Sequence, residues 1–227
     1  IGGDELIDLL SQSYDEVGMD ETMVICRSNK RTNIYNNGIR NRILFREEEL
    51  EPGDMLMVAK NNYFWTEQSK ETDFIANGDI AVVRRFRRER ELYGFRFADV
   101  LLRFPDYNDL ELEVKLLLDT LHTDTPALPK EMGDRLYQSV MEDYADITIK
   151  RERMKKLKAD PQYNALQVKY AYAVTCHKAQ GGQWKRVFLD QGYMTEEMLS
   201  PDYFRWLYTA FTRATETLYL VNWPKEQ

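Results

Sequence analysis

Three short segments carry most of the side chains able to do chemistry: CRSNKRTN at 26–33, TCHKAQGGQW at 175–184 and YTAFTRA at 208–214. The second packs a hydroxyl, an imidazole, an ammonium and a carboxamide around two adjacent glycines, between the apolar runs YAYAV and VFL. Glycines let backbone N–H groups approach an anion closely, and a guanidinium or ammonium nearby adds charge, so the chemistry on offer is phosphate recognition.

Each residue also has a plainer reading. Arg213 follows a helix, where a cation is favoured by a few tenths of a kcal/mol; a guanidinium on a packed helix can equally serve phosphoryl transfer as an arginine finger. Arg27 can end a strand and pair with a carboxylate, or reach a phosphate. Gly181 and Gly182 can permit a tight turn only. The Thr175 hydroxyl can satisfy a neighbouring carbonyl or hold a nucleic-acid phosphate. His177 can be a packed ring or a platform for a base. Taken singly, none of these residues decides between its readings.

All three segments sit just beyond core elements, which is where open α/β sheets place ligand sites. DELIDLLSQSYDEVG spaces Leu6, Leu9, Leu10 and Tyr14 as a helix ending on Gly18. TMVICR then reads as a buried strand, and NKRTNIYNNGIRNRI as a helix weakened in the middle by Asn36, Asn37 and Gly38. Helix, strand, helix predicts part of a parallel sheet. The texture changes at Pro52-Gly53-Asp54. MLMVAK, DIAVVRRF, FRFADVLLRF and LEVKLLL are strand-like, with a hairpin expected at Asn77-Gly78-Asp79, and together they predict a small antiparallel barrel. DRLYQSVMEDY and KRERMKKLK read as helices; YAYAVT, VFLD and TLYLVN read as strands, and DYFRWLYTAFTRA as a helix.

Composition narrows the class. The chain has 227 residues, 43% hydrophobic and 30% charged, which is ordinary for a globular domain with an inserted subdomain. No apolar run approaches the roughly 18 residues of a membrane span, so no membrane partner is expected. Cys26 and Cys176 form no CxxC pair and point to a reducing, cytoplasmic setting. Only His122 and His177 accompany them, so no metal site of the protein's own is expected. The net charge of -7 is not that of a dedicated nucleic-acid binder, but Arg84, Arg85, Arg87, Arg88 and Arg90 crowd one segment and 150–158 is basic. Such runs are usually solvated faces, although a locally basic face can follow a phosphate backbone.

In order and spacing the three segments resemble a known family. CRSNKRTN looks like motif IV, YAVTCHKAQGGQW like motif V and LYTAFTRA like motif VI of superfamily 1 DNA helicases. GDMLMVAKNNY followed by ANGDIAVV resembles the RecD-like branch, the alpha subunit of exonuclease V and its relatives. The resemblance implies the second RecA-like motor domain, a P-loop NTPase-type parallel sheet without a P-loop of its own. A small SH3-like barrel would interrupt it: 1–50 and 166–227 would be domain 2A, and 51–165 domain 2B with flanking helices.

By the same resemblance, Arg27 and Arg213 would be catalytic, reaching the γ-phosphate of ATP from across a cleft. Gly181, Gly182 and Gln183 would lie on the nucleotide side, while Thr175, His177 and Lys178 would face single-stranded DNA. Two positions depart from the family pattern. Cys26 stands where many members carry an aromatic that stacks on adenine, and Gln183 stands where glutamate is common, keeping an acceptor but losing the charge.

The chain holds no G-x-x-x-x-G-K-[ST] and no strand ending in an acidic pair. It begins Ile-Gly-Gly, and the expectation is a fragment whose N-terminal motor domain supplies the P-loop and holds most of the Mg2+. The fragment alone would then be inactive. A helicase moving 5′→3′ in DNA recombination and repair, with nuclease subunits as further partners, is the function the resemblance implies. Two other classes remain: a non-catalytic DNA-binding module, or a protein-interaction module, that has kept a helicase scaffold.

Overall fold

The computed structural model describes residues 1–67 and 69–223. Along the chain run α1 (Gly3–Val17), β1 (Thr22–Cys26), α2 (Asn29–Arg42), β2 (Met55–Val58), β3 (Ile80–Leu92), β4 (Phe95–Phe104) and β5 (Leu110–Leu117). Then come α3 (Lys130–Asp143), α4 (Lys150–Lys158), β6 (Leu166–Tyr170), β7 (Ala173–Thr175), β8 (Trp184–Asp190), α5 (Pro201–Phe211) and β9 (Ala214–Val221). These elements form two compact units. One is Ile1–Glu47 together with the chain from Ala171 onward, and the other is Glu48–Tyr170. Among the described residues no helix is long and apolar enough to cross a membrane.

The first unit is built on a four-stranded sheet in the order β7-β1-β8-β9, with every neighbour parallel. A strand inside a parallel sheet is covered on both faces and needs a continuous apolar run. All five residues of β1 are accordingly buried, as are Val187, Phe188 and Leu189 of β8. The helix α2 forms despite its polar middle. Ser28 caps it by accepting the Arg31 N–H at 3.2 Å, and buried Asn36 is spent on the edge strand β7. The Asn36 amide donates to the Ala173 carbonyl at 3.0 Å and its oxygen accepts the Ala173 N–H at 2.7 Å. The residue that weakens the helix in sequence thus supplies what a missing strand neighbour would have given.

The second unit is a closed five-stranded barrel in the order β2-β3-β4-β5-β6, closed by pairing of β6 with β2. It is not wholly antiparallel, as the sequence predicts. β5 and β6 run parallel through Leu116 opposite Leu166 and Leu117 opposite Gln167. The reason is the connection: α3 and α4 intervene, and a parallel pair needs such a crossover. The tight hairpin is also elsewhere than expected. Asn77-Gly78 makes a turn, with Gly78 at φ 105° and the Asp79 N–H bonded to the Ala76 carbonyl, but it only feeds the chain into β3. The two-residue hairpin joins β3 to β4 at Tyr93 and Gly94, both at positive φ, with Leu92 opposite Phe95. Finally, YAYAVT is not one strand. Tyr170 ends β6 in the barrel, and β7 begins at Ala173 in the sheet.

Candidate functional site

Parallel strands bring their carboxyl ends to one edge. In the register of the sheet, Cys26 lies opposite both Thr175 and Asp190. The chain leaving that edge therefore carries Arg27 from β1, Cys176 and His177 from β7, and Gln191 from β8. Beside them runs α5, capped at its start by Ser200, whose hydroxyl accepts the Tyr203 N–H at 3.2 Å. Together these elements enclose a cleft of about 490 Å³, with Arg27, His177, Gln180, Arg205, Trp206 and Thr209 in its lining.

Arg27 is exposed, and its guanidinium lies 5.7 Å from the ring centre of Tyr203 and 5.8 Å from that of Trp206, whose rings stack at 6.0 Å. Stacking orients the planar guanidinium, and its Nη1 donates to the Met194 sulfur at 2.5 Å, a weak acceptor that an oxyanion would displace. The indole N–H of Trp206 is buried without an acceptor among the described residues, and a buried donor of this kind is costly unless a ligand meets it. Two arginines, one of them paired with Asp202 at 3.0 Å, with two aromatics, an imidazole and a carboxamide make the cleft suited to an anion with a planar or hydroxylated neighbour.

TCHKAQGG winds as successive turns. The Thr175 carbonyl accepts the amides of Lys178 at 2.9 Å and Ala179 at 3.0 Å, and the Ala179 carbonyl accepts that of Gly182 at 3.1 Å. Gly181 has φ 85°. Gly182 is required for a different reason: a Cβ there would come within 2.5 Å of the Trp184 ring. The amide of Gly182 is thus used within the turn, and the exposed groups of the segment are the side chains of His177, Gln180 and Gln183. Lys178 is half-buried, and desolvation lowers its pKa. Burial pushes the Cys176 thiol up to about 11, so it stays protonated at neutral pH and is no nucleophile.

Arg213 stands apart from the cleft. Its guanidinium donates to the Thr209 carbonyl, the Gly182 carbonyl and the Thr212 hydroxyl, each at 3.0 Å. The Gln183 carboxamide reaches the Thr212 carbonyl at 3.5 Å. Arg213, Gly182 and Gln183 therefore come together at the end of α5, where Trp184 pairs with Ala214 at the start of β8 and β9. Arg27 and Arg213 bracket one face of α5: the first lies over Trp206, and the second bonds to Thr209 one turn further on. His177 shares its cleft with Arg27 rather than with Gly181 to Gln183.

Sequence reasoning passes over Asp190. It ends β8 fully buried, and its carboxylate accepts Arg31 Nε at 2.7 Å, the Tyr35 hydroxyl at 2.5 Å and the Gly192 N–H at 2.7 Å. The hydrogen bond to Asp190 raises the Arg31 pKa, and burial followed by that same carboxylate raises the Tyr35 pKa. The available signal was an acid ending an apolar strand, VFLD, with CRSNKR ending in a second arginine. Here Asp190 anchors α2 to the sheet edge through Arg31 and Tyr35.

Fold and site together describe an α/β sheet domain with a ligand cleft at its carboxyl edge. Within it, residues 170–221 match the UvrD-like helicase C-terminal domain, a span covering the whole polar turn and α5. Among solved structures, a complex described as two coordinating Pif1 helicases at forked dsDNA is 14% identical with a TM-score of 0.47, over 96% of this chain and 43% of that one. Pif1 helicase from Bacteroides in complex with ADP-AlF3 and ssDNA is 14% identical with a TM-score of 0.45, over 96% and 45%. Pif1 helicase from Candida albicans is 12% identical with a TM-score of 0.44, over 98% and 54%. The chain spans about half the length of these structures. No curated protein matches it in sequence.

Proposed function

We propose that this chain is the C-terminal motor region of an ATP-dependent, RecD-like DNA helicase of superfamily 1, moving 5′→3′ in recombination or repair. The observation that carries the reading is the family match over 170–221, which takes in both the polar turn and Arg213. The cleft supports it, since Arg27 is exposed, oriented by two aromatic rings, and engaged only by the weak Met194 sulfur, which an oxyanion would displace. In this reading ATP supplies the phosphoryl group and Arg27 meets its terminal phosphate. Arg213 is a latch: to reach a phosphate it exchanges the Gly182 carbonyl, and this release loosens the turn that carries Thr175, His177 and Lys178 toward single-stranded DNA.

Among the described residues no group of three His, Cys, Asp or Glu could hold a metal. In this reading Mg2+ is held mainly by the N-terminal motor domain.

The test uses the chain joined to its P-loop domain. Arg27→Ala and Arg213→Ala each lower DNA-stimulated ATP hydrolysis on the order of 10³-fold, with the circular dichroism spectrum unchanged. Wild-type turnover in Arg27→Ala, the variant that removes no fold-spanning backbone bonds, overturns the assignment. A non-catalytic module on a helicase scaffold is the second reading, favoured by the three internal hydrogen bonds that occupy Arg213. It predicts no ATP hydrolysis even when the P-loop domain is present.

A further inference from the structure

The barrel unit carries a cleft of its own, of about 620 Å³, beside the helical insert between β5 and β6. Tyr63, Tyr137 and Tyr163 stand in its lining with Lys60 and Lys130, and Asp134 is its acid. Tyr63 is 62% exposed and Tyr163 37%. Their rings are held in place: Tyr63 stacks on Phe74 at 5.1 Å, and Tyr163 meets Tyr137 at 6.2 Å. The amides around the cleft are spent on backbone, with Asn62 on Asn164, Asn164 on Lys158 and Asp160, and Gln167 on Leu128. What the cleft offers a ligand is aromatic faces and cations.

The helix α4 adjoins it, joined through Tyr137 to Met154 at 3.7 Å and through Asn164 to the Lys158 carbonyl at 2.9 Å. Buried Leu157 seats α4 on Phe95, Phe97, Leu136 and Val140, and Arg153 is used on the carbonyls of Ala145 and Ile147. Arg151, Lys155 and Lys158 are exposed and recur at i, i+4 and i+7, so they form one row about 10 Å long. Among the described residues none of the three makes an ion pair. Like charges at this spacing repel, and the helix dipole favours the last-turn lysines but opposes Lys150 and Arg151 in the first turn. Glu152 is the helix's only carboxylate. The row is an uncompensated charge on a helix that is seated on the barrel core and adjoins the cleft holding the exposed rings.

We propose that this face is a second binding track for single-stranded nucleic acid, separate from the α5 cleft. Phosphates lie on Arg151, Lys155 and Lys158, and bases stack on Tyr63 and Tyr163. The inference rests on the motor reading for its choice of anion. It is tested with the full chain and fluorescein-labelled oligothymidylate, by anisotropy across a salt titration, each variant being checked for its fold by circular dichroism. Replacing Arg151, Lys155 and Lys158 with alanine makes the slope of log K against log[salt] shallower by about 2, at roughly 0.7 per phosphate. Lys155→Arg with Lys158→Arg keeps the slope. Tyr63→Ala with Tyr163→Ala weakens binding about tenfold or more at fixed salt, and the two phenylalanine replacements restore it.

A wild-type slope in the triple variant overturns the proposal and leaves the motor reading intact. Wild-type affinity in the double alanine variant overturns the single-strand assignment. Absence of any oligonucleotide binding by the unmodified chain overturns the proposal together with the DNA contacts of the motor reading.

Discussion

The edge of the parallel sheet and the wall of the barrel use charged residues in opposite ways. On the barrel, three of the five arginines of β3 meet carboxylates across the strands: Arg84 with Glu111 at 3.3 Å, Arg87 with Glu113, and Arg88 with Asp99 at 2.5 Å. Asp99 stands opposite Arg88 on the adjacent strand, while Glu111 and Glu113 lie on β5, one strand further across the barrel, so charge is consumed within the sheet. At the sheet edge Arg27 lies beyond the ladder, while Asp190 is the last paired residue of β8. Arg27 finds aromatic rings instead of a carboxylate, and Asp190 is drawn wholly inside. A basic run in a sequence therefore says little about function until the topology says whether it has cross-strand neighbours.

Three substitutions sharpen this contrast. Asp190→Ala has the largest expected effect, about 3 kcal/mol of unfolding free energy in urea, because it strands Arg31, the Tyr35 hydroxyl and the Gly192 N–H around a buried void. A loss below about 1 kcal/mol would show that the sheet edge is as solvated as the barrel wall. Asn36→Ala comes next, at about 2 kcal/mol, since it leaves the N–H and carbonyl of Ala173 unpaired beside the edge strand. Backbone amide exchange at Ala173 is expected to accelerate with it. Arg87→Ala is the smallest, within about 1 kcal/mol, because both partners of its pair with Glu113 are well exposed. A loss as large as that of Asp190→Ala would erase the distinction between the two regions.

Much of the secondary structure was readable. β1 announces itself as an apolar run, β4 coincides with the strand-like FRFADVLLRF, and α4 coincides with KRERMKKLK. What escaped depended on partners distant in sequence. LQVKY belongs to the barrel because Leu166 and Gln167 pair with β5 and Tyr170 with Leu56, and no local pattern carries that information. Asn36 reads as a helix breaker until an edge strand is placed beside it. Of the site, the polar turn and the two arginines stand out by residue type, whereas Asp190, Arg205 and the buried indole of Trp206 become visible only once α5 lies along the carboxyl edge.

By itself the sequence determined which stretches could be strands or helices, where glycine was needed, and which three segments held hydrogen-bonding groups in excess. Those properties follow from side-chain type and local spacing. The tertiary structure alone decided that Arg27 and His177 share one cleft while Arg213 turns inward to Gly182, that β5 and β6 close the barrel in parallel, and which cations stay unpaired. The physical reason is that pairing, burial and neutralisation of charge are settled between residues brought together by the fold, and spacing along the chain does not record them.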